Sequence, residues 1–92
     1  MYTNKVNDMR EKIMEMEQYA AEYNVPIIEK ESIAFIMKFI KSNDIKDILE
    51  IGSAIGYSSI LMATVSDEVK ITTIERDETR YMECLKNVKK CG

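Results

Sequence analysis

The sequence predicts an α/β fold in which two amphipathic helices precede a strand-helix-strand-helix unit with parallel strands. Three observations carry this. Apolar residues recur at helical spacing in four stretches. Two short runs rich in β-branched residues, Asp47 to Ile51 and Val69 to Glu75, lie between polar breakers. A turn containing two glycines, Gly52 to Tyr57, leads from the first run straight into a helical stretch. Two strands joined by a helix of this length pair in parallel with a right-handed crossover, the opening half of a doubly wound sheet.

In chain order, Met9, Ile13, Met16, Ala20 and Tyr23 recur at steps of three and four with charges between them, which predicts an amphipathic helix from about Asn7 to Tyr23. Asn24-Val25-Pro26 ends it, because proline lacks an amide donor and pushes the preceding residue out of the helical region. A short extended piece, Pro26-Ile27-Ile28, follows. A second helix is expected from Lys30 to Lys41, with Ile33, Ile36, Met37 and Ile40 on one face; Phe35 and Phe39 widen the apolar arc enough to predict burial on more than one side. Ser42-Asn43-Asp44 breaks this helix before the first strand, and Ser66-Asp67-Glu68 ends the helix expected over Ser58 to Val65. Asp77 is suited to cap the last helix, whose stripe of Tyr81, Cys84, Leu85 and Val88 runs to the basic end at Lys89-Lys90 and Gly92. Residues 1–45 thus form a helical segment and residues 46–92 a ligand-binding β-α-β-α unit, together one partial domain.

The 92 residues carry 16 acidic and 13 basic side chains, a formal charge of -3, which offers no broad positive field for a polyanion. No apolar run approaches the roughly 20 residues that span a bilayer, and the N-terminal stretch is polar, so the expected compartment is the cytoplasm. Cys84 and Cys91 are the only cysteines and the chain has no histidine to complete a zinc site. They are expected to be reduced thiols, Cys84 as a small packing residue and Cys91 at the surface.

In an open α/β sheet the ligand sits beyond the carboxyl ends of the strands, beside the first strand-to-helix turn. That turn reads Gly-x-x-x-Gly, with neither the middle glycine of a dinucleotide fingerprint nor the lysine of a Walker loop. Gly52 is free to take a conformation closed to other residues, and Gly56 lets the turn approach a ligand or the neighbouring strand. Glu50, at the end of the first strand, puts a carboxylate where a pyrophosphate would be repelled and a cationic amino or sulfonium group attracted. Glu75 ends the second strand 23 residues after Gly52, close to the roughly 20-residue spacing at which an acidic side chain accepts hydrogen bonds from ribose hydroxyls. Together these describe a cationic ligand containing adenosine, of which S-adenosylmethionine is the common example.

The segment Glu50-Ile51-Gly52-Ser53-Ala54-Ile55-Gly56-Tyr57-Ser58, preceded by Val25-Pro26-Ile27-Ile28 and followed by Ile74-Glu75-Arg76, resembles the catechol O-methyltransferase-like family, in particular bacterial members that include enzymes methylating 5-hydroxyuridine in transfer RNA. The resemblance spans nearly the whole chain. It implies the N-terminal half of a Rossmann-like, S-adenosylmethionine-dependent methyltransferase fold, with Glu50, Gly52, Gly56, Tyr57 and Ser58 around the methionine part of the cofactor, Glu75 on the ribose and the backbone of Ile28 lining the site. Ser58 is also placed to cap its helix, and Ile28 to be a core aliphatic. The resemblance further implies a divalent metal such as magnesium, but the family's metal ligands and catalytic lysine follow the third strand, so no residue here takes a catalytic or metal-binding role. The acceptor implied is a hydroxyl of a small molecule or a modified nucleoside. Two strands with four helices leave sheet edges and one face uncovered, which predicts a fragment of a longer chain, a homodimer or association through the sheet edge. The alternative functions are a binding or interaction module that keeps the cofactor turn without the chemistry, and a domain for another adenosine ligand.

Overall fold

A computed structural model describes residues 2–91, with side chains from residue 9 onward. The elements are α1 (Tyr2–Glu22), α2 (Lys30–Ser42), β1 (Asp47–Ile51), α3 (Tyr57–Ala63), β2 (Lys70–Ile74) and α4 (Glu78–Cys91). α1 and α2 end where the sequence supplies a stop. Asn24 takes a left-handed conformation (φ 54°), and the Val25 amide donates back to the Ala20 carbonyl, satisfying part of the exposed end of α1. Asp44 does the same after α2 (φ 52°), with the Ile45 amide reaching the Ile40 carbonyl. Asp77 caps α4 by accepting the Arg80 amide at 2.9 Å.

β1 and β2 pair in parallel, in register from Asp47 opposite Lys70 to Ile51 opposite Ile74. Strand alternation sends Ile48 and Ile71 to one face, where they pack with Ile33, Ile40 and Met62 of α2 and α3. A second cluster, Met16, Ala20, Ile55, Tyr57 and Ile60, joins α1 to the turn after β1 and to α3. The other face of the sheet is bare: Leu49 is 65%, Ile51 74% and Ile74 53% exposed. The described fold is therefore a sheet with one covered face.

Three packing expectations change. Phe35 and Phe39 lie on the outside of α2, since Ile33 and Ile40, with half-buried Ile36 and Met37 beside them, form the face that meets the sheet and α3. On α4, Cys84 and Asn87 turn inward, while Tyr81, Leu85 and Val88 stay exposed, with no strand or helix over them among the described residues. Cys91 is half-buried against the first cluster rather than at the surface, and burial pushes the Cys84 thiol pKa up, in keeping with a packing role.

Candidate functional site

The turn after β1 is held by its own protein from three sides. The Gly52 and Ser53 amides both donate to the Ile74 carbonyl at the end of β2 (2.6 and 3.1 Å), the Ala54 amide donates to Glu75 Oε1 (2.6 Å), and the Gly56 amide donates to the Ser53 carbonyl (2.9 Å). With these four amides taken, the turn does not offer the bare row of N–H groups with which a phosphate nest binds an anion. From beneath, Ile55 is fully buried in the first cluster, and its carbonyl accepts a hydrogen bond from Asn87 Nδ2 on α4 at 2.8 Å. Neither Ile55 nor Asn87 stands out in the sequence; an asparagine on a helix stripe reads as solvated until the helix docks on a carbonyl.

The two glycines have different jobs. Both have positive φ, 87° at Gly52 and 89° at Gly56. A Cβ at Gly52 would meet nothing within 4 Å, so the space in front of it is open to a ligand. At Gly56 a Cβ would lie 3.0 Å from Cys84 Sγ and 3.6 Å from its Cα. A side chain at Gly56 is thus opposed by the approach of α4.

Glu50 gathers hydroxyls. Ser58 and Ser59, in the first turn of α3, donate to its two carboxylate oxygens, and Thr73 Oγ1 of β2 donates at 2.9 Å. A carboxylate has about four acceptor positions, so three hydroxyls leave about one for a ligand. The Ser58 hydroxyl is therefore committed to Glu50 and does not cap α3, whose N-cap is Gly56 without a side-chain bond. Ser59 and Thr73 were not expected at the site; a hydroxyl at the start of a helix and one on a strand are unremarkable until the strands pair.

Glu75 sits just beyond β2. Its Oε1 takes the Ala54 amide, and its Oε2 takes the Asp77 amide at 2.9 Å. The Asp77 amide foremost holds the Glu75 pKa below the ordinary carboxylate value; burial opposes it, and the Ala54 amide and Arg80 add smaller lowering effects. A group with a depressed folded pKa contributes stability that is present above the unfolded value and is lost as pH falls through the folded one, so the Glu75 brace weakens in acid.

Tyr57, 3% exposed, is also tied down: its hydroxyl donates to Glu17 Oε2 on α1 at 2.6 Å. Burial, and after it this bond to Glu17, push the Tyr57 pKa up to about 12. Glu17 had no part in the expected site.

A cleft of about 200 Å³ lies in front of this turn, between Pro26, Ile27 and Ile28 on one wall and Glu50, Gly52, Ser53, Ala54, Tyr57 and Ser58 on the other. The structure thus brings Ile28, Glu50, Gly52, Tyr57 and Ser58 together. Ile28 also packs on both core clusters, so its core role and its place on the cleft wall coexist. Gly56 faces α4 and Glu75 stands beside the turn, both outside the cleft lining. Among the described residues no three histidine, cysteine, aspartate or glutamate side chains converge on a point that would hold a metal, so the donor set does not fit one. No helix among them is long and apolar enough to cross a membrane.

Residues 5–92 match the profile of the family described as protein-L-isoaspartate(D-aspartate) O-methyltransferase. The ribosomal RNA small subunit methyltransferase G of Mycoplasmopsis pulmonis is 42% identical over 60 residues, 65% of this chain and 25% of that protein. Among solved structures, a Staphylococcus aureus protein described as a candidate caffeoyl-CoA O-methyltransferase superposes with TM-score 0.81 at 40% identity, over 84% of this chain and 37% of its own. The O-methyltransferase of Bacillus cereus, solved in complex with SAH, superposes with TM-score 0.77 at 25% identity, over 88% of this chain and 38% of its own. The chain spans about a quarter of the length of that curated relative and under two fifths of these solved ones, and its helices and two parallel strands correspond to part of their α/β fold.

Proposed function

The chain belongs to the protein-L-isoaspartate(D-aspartate) O-methyltransferase family, and from that premise we propose that it is the cofactor-binding portion of an S-adenosylmethionine-dependent O-methyltransferase. The observation that carries the reading is the open space at Gly52 beside Glu50, at the carboxyl ends of two parallel strands. With the turn amides already bonded, what this site offers a ligand is a carboxylate and hydroxyl oxygens, which suit an ammonium or sulfonium group better than a phosphate. Because Ser58 gives its proton to Glu50, its oxygen is left as an acceptor, which favours the amino group of a methionine moiety. Glu75, braced by two amides, keeps lone pairs for the ribose hydroxyls, and Ile28, Tyr57 and Gly52 provide the apolar and close-approach surfaces. Gly56 supports this set through α4 without contact.

Methyl transfer from a sulfonium is an in-line displacement, and the part assigned to these residues is to hold the sulfonium in one orientation. The divalent metal implied by the resemblance has no donor set among the described residues, so no step is derived through it. We take the acceptor to be a hydroxyl of a small molecule or a modified nucleoside such as 5-hydroxyuridine of transfer RNA, on the resemblance of the Glu50 to Ser58 segment. The family description names an isoaspartyl acceptor and one relative a ribosomal RNA, and methyl-transfer assays with labelled cofactor and each acceptor class separate these.

Isothermal titration with S-adenosylhomocysteine tests the cofactor reading: saturable heat is expected below about 1 mM ligand, and its absence in a folded sample would sink both the enzyme and the binding module. Glu75→Ala is expected to weaken the complex by about 1 to 3 kcal/mol, as for a lost hydrogen bond to a charged group; unchanged affinity removes Glu75 from the ribose. The exposed surface of 6918 Å² exceeds the roughly 5,500 Å² of a compact monomer of this mass, and the excess is of the order that an interface buries. We accordingly propose that the bare sheet face and edges are covered, by a second copy or by further polypeptide. Light scattering of the purified chain should give a mass above that of a monomer, and a monodisperse monomer would contradict association of this chain with itself.

A further inference from the structure

We propose that Glu17, on the N-terminal helix, is a positioning residue for the cofactor cleft, clamping its two walls through Tyr57 on one side and Lys30 on the other. This rests on the cofactor reading above and adds to it a residue outside the cleft.

The geometry is specific. Glu17 Oε2 accepts the Tyr57 hydroxyl at 2.6 Å, and Oε1 lies 3.7 Å from Lys30 Nζ. Tyr57 stands on the wall formed by the turn, whereas Lys30 opens α2 two residues after Ile28, the end of the opposite wall. The single carboxylate therefore touches the element behind each wall, and the width of the cleft between Ile28 and Tyr57 depends on where α1 holds it. The two arms are unequal. The Lys30 side chain is 79% exposed, and an ion pair in water is worth little. The bond to Tyr57 is short, charge-assisted and shielded, and the ring it restrains packs in the cluster with Met16, Ala20, Ile55 and Ile60. Tyr57 is also the first residue of α3, so a shift of its backbone would carry with it the Ser58 and Ser59 hydroxyls that bond Glu50. In this arrangement the Tyr57 hydroxyl is engaged by Glu17, which does not line the cleft: the ring forms the wall, and the hydroxyl sets the wall's position.

The test uses Tyr57→Phe, which removes the hydroxyl and leaves the ring in the core, together with Glu17→Ala, Glu17→Gln and the double variant Glu17→Ala with Tyr57→Phe. Affinity for S-adenosylhomocysteine is read by titration, folding by circular dichroism, and the bond itself by the carbon-13 shift of the Tyr57 Cζ. Tyr57→Phe and Glu17→Ala should each weaken binding about tenfold, and the double variant should be no weaker than either. Glu17→Gln keeps an acceptor and should stay within about threefold of wild type while moving the Cζ shift. A Glu17→Ala variant that melts lower but binds as tightly as wild type overturns the proposal, as does a double variant whose loss is the product of the single ones. If Glu17→Ala does not fold, Tyr57→Phe decides, and unchanged affinity there overturns it. No binding by the wild-type chain removes the cofactor reading and this inference with it, whereas tight binding by wild type and Glu17→Ala alike removes this inference alone.

Discussion

Gly56→Ala is expected to unfold much of the protein at temperatures the wild type tolerates. Two costs coincide at this position. A side chain at φ 89° strains the backbone by about 1 to 2 kcal/mol, and the new methyl group would press on Cys84 Sγ at 3.0 Å, an overpacking cost of about 1 to 3 kcal/mol. Cys84 cannot give way easily, since its own Cα lies 3.6 Å from the same point and α4 is pinned to the turn by Asn87 on the Ile55 carbonyl. The sum, about 2 to 5 kcal/mol, is a large fraction of the 5 to 15 kcal/mol typical of a domain and lowers the melting temperature by about 4 to 8 °C per kcal/mol at this size. Gly52→Ala is the control. It has the same strained φ, 87°, but open space for the methyl, so it should lower the melting temperature by the strain alone and act mainly on cofactor affinity. Thermal melts of the two variants check this, and equal shifts would show that the contact with Cys84 does not matter.

Glu50→Ala should damage stability and binding together. Its carboxylate holds Ser58, Ser59 and Thr73, joining α3 to both strands beneath the cleft. Removal strands the hydroxyl of buried Ser59 and those of half-buried Ser58 and Thr73. At about 1 to 3 kcal/mol for each buried group left unsatisfied, less where water can enter, the loss in stability is expected to be about 2 to 4 kcal/mol. Glu50→Gln separates framework from charge, because an amide still bonds hydroxyls that can turn to suit it but carries no charge. It should melt close to wild type and bind the cofactor more weakly. Comparing S-adenosylmethionine with S-adenosylhomocysteine then shows which cation Glu50 senses: both carry the ammonium, only the first the sulfonium. Equal losses point to the ammonium and a larger loss for S-adenosylmethionine to the sulfonium, whereas no loss for either would confine Glu50 to the framework.

Element order and type were legible because each rests on a local signal. The β-branched run Asp47 to Ile51 is reproduced to the residue as β1, and Asn24, Asp44 and Asp77 act as the stops and cap their chemistry predicts. The candidate site was legible in part, since strand ends and a turn lie close in sequence to one another. Ile28, Glu50, Gly52, Tyr57 and Ser58 do share one cleft. Periodicity misled where it had no opposing surface to select a face: the stripe Tyr81, Leu85, Val88 is as regular as any buried one, yet Cys84 and Asn87 form the inner face of α4.

The sequence by itself determined the strand-helix order and the positions of the turn residues, because dihedral preference and caps act over a few residues. Only the tertiary structure decided what those residues lean on. Glu17 reaches Tyr57 from 40 residues away, Asn87 reaches Ile55 from 32, and Cys84 fills the space that makes Gly56 a glycine. Contacts of that kind depend on how helices dock over distances no local pattern encodes, and hydrogen-bonding side chains on a helix show no preference for a partner until the partner's surface is in place.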